Sequence, residues 1–138
     1  MKSVMFVCRR NSCRSQMAEG WAKTLGAGKI RVVSSGLEAS RVHPTAIAVM
    51  AEAGIEISDQ TSNALAEFSP EDFDGVISLC GCGVNLPEAW ALRELFEDWQ
   101  LDDPDGQPIE VFRRVRDEIR DRVTALIDQI SQISQISP

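Results

Sequence analysis

Cys8 and Arg14 are the two residues whose types and spacing most directly indicate chemistry. The apolar run 4–7 precedes Cys8, and a sequence typical of a helix begins immediately after Arg14. A loop between a strand and a helix can wrap its backbone N–H groups around a tetrahedral oxyanion, and the helix N-terminus adds partial positive charge. The same field stabilises a thiolate, so we predict that Cys8 is a nucleophile aimed at the bound anion. The planar fork of Arg14 would clamp two anion oxygens and stabilise developing charge.

The remaining loop residues are predicted to help bind the same anion. The predicted substrate-binding set is Arg9, Arg10, Asn11, Ser12, Cys13, Arg14 and Ser15. Ser15 is also assigned to catalysis, because its hydroxyl could donate a hydrogen bond to the Cys8 thiolate. Asn11 tolerates the left-handed backbone that such a loop needs. Arg9 and Arg10 could instead be solvated, and Cys13 is better explained as a small packed residue, since free cysteine is commonly buried.

A second pair of thiols, Cys80 and Cys82, is separated by a single glycine and followed by another. Glycine lets the backbone bend, and a disulfide between residues two apart is strained and therefore easily reduced. The pair thus suits an oxidised state that awaits an external reductant. No second thiol pair with ligand spacing follows, and the lone His43 precedes Pro44 at a predicted helix start. We therefore predict no metal site and a structural role for His43.

Asp103 is the candidate general acid. It lies in an Asp-Asp-Pro-Asp-Gly segment at 102–106, just after a predicted strand, from where a carboxylic acid could protonate a departing oxygen. Asp-Pro is by itself a common turn signal, so this assignment depends on the loop around Cys8.

Alternating strand and helix patterns predict the fold class. Apolar runs predict strands at 4–8, 30–34, 75–80 and 97–101, with helices at about 15–27, 44–53 and 109 to the low 130s. This alternation indicates a doubly wound four-stranded parallel sheet, order 2-1-3-4, flanked by helices. Cys8 and Cys80 would then end neighbouring strands, which lie roughly 4.8 Å apart. That spacing lies within the about 4.4–6.8 Å between Cα atoms that a disulfide needs.

The composition suits one globular domain. The chain has 138 residues, 43% hydrophobic, and a net charge of −7, which makes nucleic acid an improbable partner. We expect one domain over 1–138, with the repeated Gln-Ile-Ser of 129–138 as a helix end or frayed tail. The apolar run before Cys8 is too short for a signal peptide or a membrane span, so we expect a cytoplasmic protein without membrane association. In that setting the four cysteines are reactive or buried thiols rather than a disulfide scaffold.

Together these segments resemble the arsenate reductases built on the low-molecular-weight protein tyrosine phosphatase fold. The similarity extends to about residue 127 and is carried by 8–20, 34–36, 57–58, 61–62 and 102–104. The Cys-Gly-Cys-Gly segment is similar to the glutathione/glutaredoxin-coupled branch, although thioredoxin remains an alternative reductant. The resemblance implies that Cys8 attacks arsenate, that Asp103 protonates the departing oxygen, and that Cys80 and then Cys82 carry the oxidation away. It implies glutathione as reductant, no bound cofactor, and phosphate or sulfate as substrate analogues.

Two positions depart from that family's pattern. Many members have glycine where this chain has Arg10, and the extra charge should strengthen anion capture. Some members bind potassium through residues that match Asn11, Glu19 and Ser34 together with an aspartate. The matching position here is Asn63, which weakens the case for a potassium site.

Two other functions compete with arsenate reduction. A tyrosine phosphatase would need only Cys8, Arg14 and Asp103, but it leaves Cys80 and Cys82 unused, and no aromatic residue follows the Asp-Pro to grip a phenyl ring. Weak hydrolysis of small aryl phosphates is still expected, because phosphate and arsenate share shape and charge. A non-enzymatic arsenite- or metal-binding protein would use the cysteine pair but leaves the anion loop unexplained.

Overall fold

The protein is built on one parallel sheet. The computed structural model describes residues 2–79 and 86–136, without the side chains of 133–136. Its strands are β1 (Lys2–Cys8), β2 (Ile30–Gly36), β3 (Gly75–Ser78) and β4 (Leu95–Asp98). They are parallel in the order β2-β1-β3-β4, which confirms the predicted topology. In this order the end of β1, where Cys8 lies, is flanked on both sides by other strands, so the loop that follows it starts from the middle of the sheet.

Helices cover the sheet. They are α1 (Arg14–Leu25), α2 (Pro44–Glu52), α3 (Glu88–Ala91) and α4 (Ile109–Ile136), with two 3₁₀ turns at Leu65–Glu67 and Pro70–Asp72. Helices α1, α2 and α4 pack together, and their apolar side chains share a core with Phe6 and Ile77 of the sheet. Met5, Val7 and Val76 point to the opposite face, where they pack with Phe73 and Trp90. Both faces of the central strands are therefore buried, as their continuous apolar sequence predicted.

The long helix α4 supplies much of the core. The helical spacing of its apolar residues predicts one buried face, and the structure buries every position of it: Phe112, Val115, Ile119, Val123, Leu126, Ile127 and Ile130. Full burial of one such side chain contributes roughly 1.5–3 kcal/mol, so this face holds the helix firmly against α1 and α2. The backbone of the Gln-Ile-Ser repeat continues α4 as far as Ile136, which makes it the end of a helix.

Several predicted boundaries were wrong. Strand β4 begins at Leu95 rather than at 97 and ends at Asp98 rather than at 101. Trp99 and Leu101 are buried, but they lie in the segment that follows the strand. Strand β3 ends at Ser78, before the predicted end at 80. Leu79 and Trp99 are buried beyond the two strand ends, and each still donates one backbone hydrogen bond to the neighbouring strand, which explains why the apolar pattern predicted longer strands.

Two predicted helix faces also need correction. The sequence pattern of α2 predicts Ile47, Met50 and Ala51 on its buried face, but Ala51 is exposed, because that face is formed by Ala46, Val49 and Met50. The recurrence of Met17, Trp21 and Leu25 every four residues predicts one buried face of α1, yet 39% of Leu25 is exposed, because the helix ends there and Gly26 follows. The polar, irregular sequence of 55–70 predicts one short helix; the structure has two 3₁₀ turns there and just beyond, and the short α3 has no predicted counterpart. In the described part of the chain no helix is both long and apolar enough to cross a membrane.

Candidate active site

The loop between β1 and α1 is fixed by a close backbone crossing. Asn11 has a φ of 51°, the left-handed conformation predicted for it. The chain leaving β2 runs beside the loop: the N–H groups of Leu37 and Glu38 donate to the carbonyls of Cys8 and Arg9, both at 3.1 Å. Gly36 makes this approach possible, since a Cβ there would lie 2.6 Å from the nitrogen of Asn11 and 2.5 Å from the oxygen of Glu38.

Cys8 lies at the bottom of the site with a hydroxyl beside it. Its Sγ is 3.0 Å from Oγ of Ser15, and only 3% of the residue is exposed. Nδ2 of Asn11 donates to the same Oγ at 2.8 Å, so this oxygen already accepts one hydrogen bond. The proton of Ser15 is then free to point at sulfur, where it stabilises the thiolate that a nucleophile requires.

Arg14 is buried and anchored at two points. Its Nη1 donates to the carbonyl of Leu79 at 3.3 Å and to that of Leu101 at 3.0 Å. Its Nη2 lies 3.7 Å from Oδ2 of Asp103. The guanidinium is therefore held in place by the chain segments that follow β3 and β4, with one edge turned to the candidate acid.

Hydrogen bonds that the sequence did not indicate link Asp103, through Asp105, to His43. The N–H of Asp105 donates to Oδ1 of Asp103 at 3.0 Å, and Oδ1 of Asp105 lies 3.1 Å from Nε2 of His43. Nδ1 of His43 accepts from the N–H of Thr45 at 3.1 Å and caps α2, so the proton of a neutral ring lies on Nε2, facing Asp105. His43 therefore caps α2 and, through Asp105, also supports the loop that carries the candidate acid.

Cys13 differs from Cys8 in its surroundings. It is 5% exposed and belongs to the apolar core, and it also contributes to the lining of the cavity beside the loop. Burial, with the negative charge of Asp103 as a smaller contribution, raises the pKa of its thiol to about 12. Cys13 therefore stays protonated at neutral pH, which fits a packed residue rather than a second nucleophile.

A cavity of about 400 Å³ opens above the loop. It brings Cys8, Arg14 and Asp103 together with the exposed side chains of Arg9 and Arg10, and Ser12 also lines it. Arg10 pairs with Glu38 at 3.6 Å. Arg41, which sequence reasoning did not single out, lines the same cavity; its only sequence signal is a positive charge just before the capping histidine.

Cys80 and Cys82, the predicted resolving thiols, lie outside the described residues. The described chain before them runs beside the strand that ends at Cys8: β3 pairs with β1, and the N–H of Leu79 donates to the carbonyl of Val7 at 2.9 Å.

The residues that match a potassium site do not fit one. Glu19 is buried, and its two oxygens accept from Oγ of Ser34 and from Nζ of Lys23, each at 2.5 Å. Oδ1 of Asn11 accepts from the N–H of Asn63 at 2.8 Å. The lysine ammonium already neutralises the carboxylate that a bound cation would need, and the remaining oxygens serve the loop itself.

Comparison with known proteins decides the family. Residues 3–135 match the family model "Low molecular weight phosphotyrosine protein phosphatase". The chain belongs to this family. One relative of this chain is a glutaredoxin arsenate reductase of Synechocystis sp. The two are 69% identical over 131 residues, which are 95% of this chain and 100% of the relative. An arsenate reductase 2 of Staphylococcus haemolyticus is 44% identical, over 86% of this chain and 91% of its own length.

A solved low-molecular-weight phosphatase-like structure agrees with these relatives. It is described as an arsenate reductase in the phosphate binding state and is 68% identical. It superposes with a TM-score of 0.90 over 94% of this chain and 99% of its own. The predicted fold class and family resemblance are thereby confirmed.

Proposed function

We propose that this protein reduces arsenate to arsenite by a thiol relay. The observation that carries the choice of reaction is the 69% identity to a glutaredoxin arsenate reductase over nearly the whole chain. The geometry alone serves oxyanion capture and nucleophilic attack, which hydrolysis and reduction have in common. The proposal assigns the catalytic roles to Cys8, Arg14, Ser15 and Asp103, with Cys80 and Cys82 completing the relay.

In the first step Cys8 attacks arsenic. The loop N–H groups and Arg14 hold the oxyanion, while Ser15 stabilises the thiolate until it attacks. Asp103 gives its proton to the departing oxygen, which leaves as water. The support for this step is the placement of Cys8, Arg14 and Asp103 around one cavity, with Arg14 fixed by two carbonyls.

In the second step two electrons pass from sulfur to arsenic. The Cys80 thiolate attacks Sγ of Cys8; the sulfur–arsenic bond breaks, and its electron pair reduces arsenic(V) to arsenic(III). Arsenite leaves, and the Cys8–Cys80 disulfide remains. Cys82 then attacks Cys80, which releases Cys8 as a thiolate and leaves the strained and easily reduced Cys80–Cys82 disulfide.

Glutathione with glutaredoxin is the proposed reductant of that disulfide. The similarity to a glutaredoxin arsenate reductase supports this choice over thioredoxin. Two thiols of glutathione are oxidised for each arsenate reduced, and no bound cofactor is required. Such chemistry suits a compartment that keeps thiols reduced, so we place the protein in the cytoplasm. We further propose that residues 1–138 act as one domain, since both apolar cores share the same sheet.

The test is arsenate-dependent oxidation of NADPH in the presence of glutathione, glutaredoxin and glutathione reductase. Wild type should turn over, whereas Cys8→Ser and Cys80→Ser should form no arsenite. Cys82→Ser should form one arsenite per chain and then stop with a Cys8–Cys80 disulfide. If Cys82→Ser turns over as fast as wild type, the relay is wrong.

Hydrolysis of aryl phosphates is the second candidate function, favoured by the family to which the chain belongs. It uses Cys8, Arg14 and Asp103 but leaves the cysteine pair without a role. A wild type that forms no arsenite in the same assay, yet hydrolyses p-nitrophenyl phosphate rapidly, would establish this function instead.

A further inference from the structure

Two arginines at the mouth of the cavity have no partner in the described structure. Arg9 and Arg41 are exposed and line the cavity, and neither guanidinium makes a hydrogen bond or ion pair with any residue in the described ranges. By contrast, Arg14 is committed to two carbonyls and Arg10 pairs with Glu38. Unpaired cations at one spot of a chain with a net charge of −7 indicate an anionic ligand there.

The backbone that carries these arginines is held in place on both sides. Oγ of Ser40 donates to the carbonyl of Arg10 at 2.8 Å, and the N–H of His43 donates to that of Ser12 at 3.1 Å. Arg41 therefore lies on a segment pinned beside the oxyanion loop at both of its ends. Only the arginine side chains themselves need to be ordered when a ligand binds.

The cavity is also larger than an oxyanion requires. Four oxygens of about the volume of water, ~30 Å³ each, fill on the order of 120 Å³, whereas the cavity measures about 400 Å³. Cavities of roughly 300 Å³ and more accommodate whole small organic molecules. The space beside the oxyanion is bordered by Arg9 and Arg41 and leads down to Cys8.

We propose that Arg9 and Arg41 form a subsite for the two carboxylates of glutathione, next to the oxyanion site. This inference deepens the proposed function, because it assigns a binding place to the thiol that the reaction consumes. Glutathione carries two carboxylates at opposite ends of a flexible tripeptide, and each can take a forked hydrogen bond from one guanidinium. The arginines then bring an anionic thiol to the end of the sheet at which Cys8 lies.

Binding of S-methylglutathione tests the subsite without any redox step. Titration calorimetry should give about threefold weaker binding for Arg9→Gln or Arg41→Gln and about tenfold for the pair, the range expected of exposed ion pairs. Lys29→Gln is the matched control: Lys29 is exposed, its side chain makes no hydrogen bond or ion pair with the described residues, and it lies just before β2, at the opposite end of the sheet. The Lys29→Gln variant should bind S-methylglutathione with the affinity of wild type. Arg41→Lys should bind it more tightly than Arg41→Gln but more weakly than wild type.

Two changes of ligand test the same inference on the wild-type protein. The diethyl ester of S-methylglutathione, which lacks both carboxylates, should bind at least tenfold more weakly than the acid. Saturating phosphate should change the affinity for S-methylglutathione by no more than about threefold, since phosphate fills the oxyanion site and leaves the adjacent subsite open. The subsite would be overturned if the ester bound as tightly as the acid, or if Arg41→Gln bound S-methylglutathione as tightly as wild type. Complete displacement of S-methylglutathione by phosphate would overturn it as well. Arsenate reduction with dithiothreitol, measured separately, reports on the proposed function independently of this result.

Discussion

At the scale of single residues, similar side chains have different environments. Cys8 faces the hydroxyl of Ser15 at 3.0 Å, while Cys13 is desolvated in the core, and the pKa of its thiol rises to about 12. Arg14 is buried and anchored, whereas Arg9 and Arg41 at the rim are exposed. Cys8, the proposed nucleophile, and the packed Cys13 therefore lie in different environments, as do the anchored Arg14 and the exposed Arg9 and Arg41.

This difference predicts selective alkylation. In a Cys80→Ser/Cys82→Ser variant, iodoacetamide at pH 7.5 should modify Cys8 and leave Cys13 untouched, because a thiol with a pKa of about 12 stays protonated. Peptide mass spectrometry locates the label, and bound phosphate should protect Cys8. Comparable labelling of both cysteines would show that Cys13 is not buried as described.

Asp103 gives a second prediction at this scale. Asp103→Asn keeps the hydrogen bond from the N–H of Asp105 but cannot deliver a proton, so arsenite formation should slow by about a hundredfold, the lower end for a lost general acid. Phosphate affinity, measured by calorimetry, should be equal or tighter, since a negative charge near the anion is gone. A loss of phosphate binding without a slower chemical step would assign Asp103 a purely structural role.

At the scale of elements, a strand, a loop and a helix form the site because their backbones cross closely. Gly36, at the end of β2, is where the chain passes Asn11. Gly36→Ala should weaken phosphate binding more than tenfold, because the added Cβ meets backbone atoms at 2.5 and 2.6 Å and only a shift of the loop can relieve the clash.

Gly28→Ala is the matched control for that substitution. Gly28 has a φ of 77° and open space around it, so alanine there should lower stability by about 1 kcal/mol through backbone strain. Its phosphate affinity should remain that of wild type. Calorimetric titration of the two variants separates loop geometry from general stability, and unchanged phosphate binding by Gly36→Ala would contradict the crossing.

The elements also show which features a sequence can predict. The buried strands, the left-handed Asn11 and the apolar face of α4 follow from local patterns, and all are present. The link from His43 to Asp105 joins residues 62 positions apart, and the exposure of Ala51 depends on how α2 packs, so neither has a local signal. The limits of β4 were missed because Trp99 is buried without belonging to the strand.

At the scale of the whole molecule, acidic side chains dominate the charge, and some of them join helices. Glu52 on α2 accepts hydrogen bonds from Arg113 and Arg116 on α4. The Arg113 hydrogen bond, with Arg116 as a smaller contribution, holds the pKa of Glu52 below its ordinary value of 4.5. A carboxylate with a lowered pKa stabilises the fold above its unfolded pKa, and that contribution is lost as the pH falls through the folded value.

Glu52→Gln should therefore lower the urea midpoint at pH 7 slightly and leave the midpoint at about pH 3 nearly unchanged. Glu71→Gln is the control, since Glu71 is exposed and its carboxylate makes no hydrogen bond or ion pair with the described residues. It should behave as wild type at both values. If Glu52→Gln lowered the urea midpoint equally at both pH values, the charge of Glu52 would contribute nothing, and packing alone would join the two helices.

The most direct test of the central claim is a single turnover without any external reductant. Fully reduced protein is mixed with excess arsenate, and arsenite, free thiols and disulfide-linked peptides are counted. The thiol relay predicts one arsenite per chain, a fall from four free thiols to two, and a disulfide between Cys80 and Cys82. No arsenite and four remaining thiols, in a protein that binds arsenate, would contradict the relay and leave the Cys8–Arg14 loop as the site of a phosphatase.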